Sequence, residues 1–62
     1  MSSSKKIIKK LEDAGFVWIS CKGDHHKYRH PDGRQVIVVH PRKDFPKGTF
    51  RNMEKTAGMK LK

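Results

Sequence analysis

Glycine-bearing turns cut the first half of this chain into pieces that leave room for only one helix. Gly15, the Lys22-Gly23-Asp24 triplet and Pro31-Asp32-Gly33 each mark a reversal, with glycine where φ turns positive and proline where φ is preset. Ahead of Gly15, the residues Ile7, Ile8, Leu11 and Ala14 recur at helical spacing behind three serines, Ser2 to Ser4, that offer hydroxyl caps. A first helix is therefore expected from Ser4 to Ala14, with Gly15 as its left-handed stop and Phe16 folded back on Leu11. The other side of that helix carries Lys5, Lys6, Lys9, Lys10, Glu12 and Asp13, which reads as a solvated face.

Between the turns the pattern changes period. FVWIS after Gly15 is aromatic and β-branched and predicts a strand buried on at least one face. A second strand runs from His25 to His30, and QVIVV after the Pro-Asp-Gly turn forms a third, giving an antiparallel meander. Alternation places His25, Lys27 and Arg29 on one face of the second strand and His26, Tyr28 and His30 on the other. Tyr28 is the core candidate among the six, its ring buried and its hydroxyl reaching a partner, so the face with His25 is expected to stay open.

After a loop from His40 to Thr49, Phe50, Met53 and Ala57 lie three and four apart on a second helix expected from Lys47 to Ala57. It ends on Ala57-Gly58-Met59, as the first ended on Ala14-Gly15-Phe16. Beyond it the tail Lys60-Leu61-Lys62 is expected to be loose. Neither helix can bury its stripe alone, and the economical α+β packing lays both on one face of the sheet. Phe16, Trp18 and Phe50 read as core side chains rather than platforms for stacked bases.

Charge narrows the partners. With 15 Lys and Arg against 6 Asp and Glu, the 62 residues carry a formal net charge of +9, which points to a polyanion, nucleic acid first among cytoplasmic ones. An acidic partner protein would satisfy the same charge. One small domain spanning 1–62 is expected, without an apolar stretch long enough for a signal peptide or membrane span, hence soluble and cytoplasmic. The single cysteine, Cys21, excludes an internal disulfide, fits a reducing compartment and reads as a small strand residue. Cys21 and His25 lack a second ligand pair at zinc spacing, so neither a metal nor another cofactor is expected.

Four segments in order, LEDAGFVW, KGDHHKYRHPDGR, VVHPRKDFPKGT and KTAG, resemble the HicA (YcfA-like) toxin family over nearly the whole chain. The resemblance implies a double-stranded-RNA-binding-like fold, α-β-β-β-α, with a three-stranded antiparallel sheet. It also implies an mRNA interferase of a type II toxin–antitoxin pair, inhibiting translation and blocked by a HicB-type antitoxin. The family's catalytic histidine follows glycine and serine at the start of the second strand. Gly23 and His25 match that motif, Asp24 stands where serine is usual, and His26 is the alternative where relatives use the next position. An acidic side chain at Asp24 favours a protonated imidazole beside it and adds negative charge near an anionic substrate.

RNA supplies its own nucleophile in the 2′-hydroxyl, so cleavage requires only proton transfer and charge stabilisation, and imidazole changes charge near neutral pH. His25 is the candidate general acid or base, with Lys22, Lys27 and Arg29 positioning phosphates. Arg42, Lys43 and Lys47, in the loop ahead of the second helix, add cations and free backbone N–H groups for RNA. His30 and His40, each before proline, are read as shaping turns or contacting RNA rather than as catalysts. Gly23, Asp24, Tyr28 and Gly33 take structural roles. Two other readings remain open, a non-catalytic double-stranded-RNA-binding module and an inactive relative that captures an antitoxin.

Overall fold

The computed structural model describes residues 3–62 and has the element order α1 (Ser4–Asp13), β1 (Val17–Lys22), β2 (His25–Arg29), β3 (Gln35–Val39) and α2 (Lys47–Ala57). The sheet is a three-stranded antiparallel meander in the order β1-β2-β3, matching the expected α+β arrangement. No helix among the described residues is long and apolar enough to cross a membrane.

Local chemistry sets the helix ends. Ser3 caps α1, its Oγ accepting the Lys6 backbone N–H, whereas Ser2, the earliest of the candidate caps, lies outside the described residues. At the other end the Phe16 N–H donates to the Leu11 carbonyl at 2.9 Å, which closes the last turn and brings Phe16 onto the core. α2 stops at Gly58, whose φ of 66° lets the Gly58 and Met59 N–H groups satisfy carbonyls of the final turn.

One face of β2 and β3 carries the core. Tyr28, Val36 and Val38 are buried there in one cluster with Ile7 and Leu11 of α1, Phe50, Met53 and Ala57 of α2, and Phe16, Phe45 and Leu61. Opposite them, Lys27 pairs with Ile37 and Arg29 with Gln35 on the open face.

Three expectations fail against this packing. β1 is exposed along its whole length, with Val17 at 60%, Trp18 at 49% and Ile19 at 45% exposure. Neither a buried face for FVWIS nor a core role for Trp18 holds, because the helices cover β2 and β3 and leave the β1 edge bare. A register shift between Trp18 and Ser20 also turns the second half of β1 relative to the first, as a bulge does. The tail is not loose either. Leu61 is fully buried, and its backbone N–H donates to Glu54 Oε2 at 2.7 Å.

Candidate functional site

The turn at Gly23 and Asp24 sets His25 at the first position of β2. Gly23 has a φ of 61°, the left-handed geometry that a two-residue hairpin turn requires. His25 then pairs with Lys22 across β1 and with Val39 across β3. The Asp24 carbonyl also accepts the His40 backbone N–H at 2.8 Å, anchoring this corner to the end of β3.

On the open face a pocket is lined by Ser20, Cys21, Lys22, Gly23, His25, Lys27 and Ile37. It brings three of the expected residues, Lys22, His25 and Lys27, to one place. Arg29 stands further along, lining a separate depression with Val17, Ile19, His30 and Pro31. The loop cations are not gathered here. Arg42 donates from Nε to the Asp44 carbonyl and lies over the Phe45 ring, while Lys47, at the start of α2, lines a groove with Phe50, Arg51, Glu54 and Lys62. Lys43 is exposed and lines neither of these hollows.

His25 Nδ1 lies 2.9 Å from Asp24 Oδ1. A carboxylate in that position is an acceptor for an Nδ1–H of the ring, which ties the imidazole to the turn through that nitrogen. Asp24 is thus placed to orient the imidazole.

The other histidines are differently employed. His26, half-buried on the helix side, accepts the Trp18 indole N–H on Nδ1 at 3.2 Å and stacks edge-on against His40 with ring centroids 5.3 Å apart. His40 Nδ1 is 2.8 Å from Ser4 Oγ, a buried hydroxyl that also accepts the Arg42 N–H. His30 has both ring nitrogens engaged, Nε2 donating to the Ala14 carbonyl and Nδ1 accepting from the Asp32 N–H. The adjacency of Trp18, His26 and His40 was not evident from the sequence, since they come from three separate segments.

Three ionisable groups report on the surrounding structure. Burial pushes the Tyr28 phenol above its ordinary 10.0, and the Glu12 carboxylate pushes it further. The Asp32 carboxyl lies below its ordinary 3.8, chiefly because it accepts the Arg34 backbone N–H, with the Arg34 guanidinium adding to the effect. Asp44 is lowered in the same direction, first by the Phe45 N–H. Among the described residues, no three His, Cys, Asp or Glu side chains are grouped so as to hold a metal ion.

Residues 4–59 match the family described as HicA toxin of bacterial toxin-antitoxin. The chain belongs to the HicA toxin family, and its partner is accordingly an antitoxin. No curated protein matches it.

Proposed function

We propose that the chain is an endoribonuclease that cleaves mRNA without a metal ion, with His25 as the proton-transfer group. The observation that carries this reading is the Asp24–His25 contact at 2.9 Å on the rim of a pocket shared with Lys22 and Lys27. With Nδ1–H held by Asp24, neutral His25 offers Nε2 as a general base to a ribose 2′-hydroxyl. His25 takes the 2′-hydroxyl proton as the 2′-oxygen attacks the adjacent phosphorus, the bond to the 5′-oxygen breaks to leave a 2′,3′-cyclic phosphate, and the leaving 5′-oxygen takes a proton from solvent water. Lys22 and Lys27 supply positive charge where the pentacoordinate phosphate gathers its negative charge.

Asp24, the departure from the family motif, gains a role in this reading. Serine at this position would be a weaker acceptor for Nδ1–H than a carboxylate. A HicB-type antitoxin would inhibit by covering the basic open face, which makes an acidic contact surface its expected chemistry. In the cell, such cleavage inhibits translation, and the compartment that holds both message and ribosomes is the cytoplasm.

The test uses purified protein and single-stranded RNA in the presence of chelator. Cleavage is expected, with a loss of about 10²- to 10⁴-fold in rate for His25→Ala and a smaller loss for Asp24→Asn, both with unchanged circular dichroism. Undiminished cleavage by His25→Ala would transfer the role to another group, His26 first. Tight binding of duplex RNA with no products from the wild-type chain would instead favour a non-catalytic binding module, and neither binding nor cleavage a chain that only captures its antitoxin.

A further inference from the structure

The bare β1 edge exposes a second surface, on the side of the sheet opposite the His25 pocket. Trp18 pairs with Tyr28 and Cys21 with His26, so the indole lies on the helix side of the sheet although no helix covers it. From Trp18 a line of contacts runs through His26 to His40 and ends at Ser4, the first residue of α1. Beside it a pocket is lined by Lys5, Ile8, Lys9 and Glu12 of α1 together with Tyr28 and His40.

We propose that Trp18 and this neighbouring hollow, joined through His26 and His40, form a binding surface for a single-stranded RNA segment, with a base stacked on Trp18 and adjoining phosphates met by Lys5 and Lys9. The proposal rests on RNA being the substrate, as in the function proposed above, and is independent of which residue performs the chemistry.

Three observations carry it. The indole has one polar atom, and that atom is spent on His26. Its rings are oriented by this contact while remaining 49% exposed, an aromatic surface open to a stacking partner. His26 and His40 each make their ring-nitrogen hydrogen bond through Nδ1, so Nε2 is the atom of each that would meet a phosphate or ribose oxygen. Lys5 and Lys9 are one helical turn apart and line the same hollow, a spacing suited to successive phosphates. The one acidic lining residue, Glu12, is an acceptor for the exocyclic amine of a base. A duplex hides its base faces within the stack, whereas a single strand can splay one onto an indole.

Trp18 is the only tryptophan, so indole fluorescence reports on the β1 edge beside this hollow. The experiment uses the wild-type chain and titrates it with a short single-stranded RNA of mixed sequence carrying 2′-O-methyl riboses, which lacks the attacking hydroxyl and cannot be cleaved by that route, while following both Trp18 emission and the anisotropy of labelled RNA. The two signals are expected to saturate together, and a blunt duplex of the same length is expected to quench far less. Trp18→Ala should weaken anisotropy-detected affinity roughly tenfold, the scale of one stacked base, with Trp18→Phe restoring most of it. The Lys5→Ala/Lys9→Ala pair should reduce the salt dependence of binding by about 0.7 per lysine in the log–log slope. Saturating anisotropy without a change in Trp18 emission, and unaltered by these variants, would overturn the proposal while leaving the ribonuclease reading intact. Absence of RNA binding by either signal would also overturn it, and cleavage by the wild-type chain then decides separately whether the ribonuclease reading survives.

Discussion

Replacing Leu61 by alanine tests whether the last turn of chain is part of the core. Leu61 is fully buried within the cluster that includes Phe50, Met53 and Ala57, and its N–H is held by Glu54. Truncating a buried leucine to alanine costs about 2 to 5 kcal/mol, combining lost transfer energy with the cavity left behind. At about 0.05–0.15 kcal/mol per residue, a chain of 62 residues has a total stability of about 3 to 9 kcal/mol. The substitution therefore removes a large share of what holds the fold. With a shift of about 4–8 °C per kcal/mol for a domain of this size, Tm should fall by about 8 °C or more. Thermal and urea denaturation followed by far-ultraviolet circular dichroism provide the measurement. Lys62→Ala is the control, an exposed neighbour whose loss should stay within about 0.5 kcal/mol. If Leu61→Ala melts with Lys62→Ala, Leu61 is not a core residue and the reasoning from its burial fails.

Further outcomes follow from the turns. Gly58→Ala and Gly23→Ala both place a side chain at positive φ, costing roughly 1–2 kcal/mol. At Gly58 a Cβ would also come within 3.1 Å of Arg34 Nη1, the atom that donates to the Ala57 carbonyl. Gly58→Ala should therefore lower the urea midpoint more than Gly23→Ala, where a Cβ meets nothing within 4 Å; equal losses would remove Arg34 from the account. For Asp32 the folded carboxyl lies below its ordinary 3.8, so its stabilisation is present above that pH and is lost as the pH falls through the folded value. Asp32→Asn should accordingly lower Tm at neutral pH, with the gap to wild type closing in acid below about pH 4; a gap that stays constant with pH would assign the loss to something other than the carboxylate. His25→Ala, finally, should abolish most cleavage in chelator without altering the melting curve.

The element order was legible because each boundary carries its own local signal. Gly15 and Gly58 end helices whose apolar residues recur at helical spacing, and the turns at Gly23 and Gly33 bound segments with strand composition. The partition of β2 was legible too, since strand alternation and the amphipathic character of Tyr28 decide which face is buried. The exposure of β1 was not. Val17, Trp18 and Ile19 have the composition of a buried strand, and only the lateral position of the two helices determines that this edge stays bare. Leu61 was missed for a related reason, being a single apolar residue without a periodic neighbour. At the candidate site, the clustering of Lys22, His25 and Lys27 follows from hairpin pairing and was foreseeable. The contact between His26 and His40 depends on where the chain leaves β3, which no local pattern encodes.

The bare edge strand also has a dynamic meaning. β1 contributes no fully buried side chain, so separating it from β2 costs ladder hydrogen bonds, the Trp18–His26 contact and the half-covered faces of Trp18 and Ile19, but opens none of the core cluster's own side chains on β1. Its opening free energy accordingly lies below that of global unfolding. Ser20, Cys21 and Lys22 on this strand form one wall of the His25 pocket, and Trp18 stands on its other side. Both surfaces thus share a wall that yields before the rest of the molecule does. A ligand that bridges β1 to β2, whether substrate or inhibitor, selects the closed seam at some cost to its affinity, and amide exchange in β1 should slow when it binds.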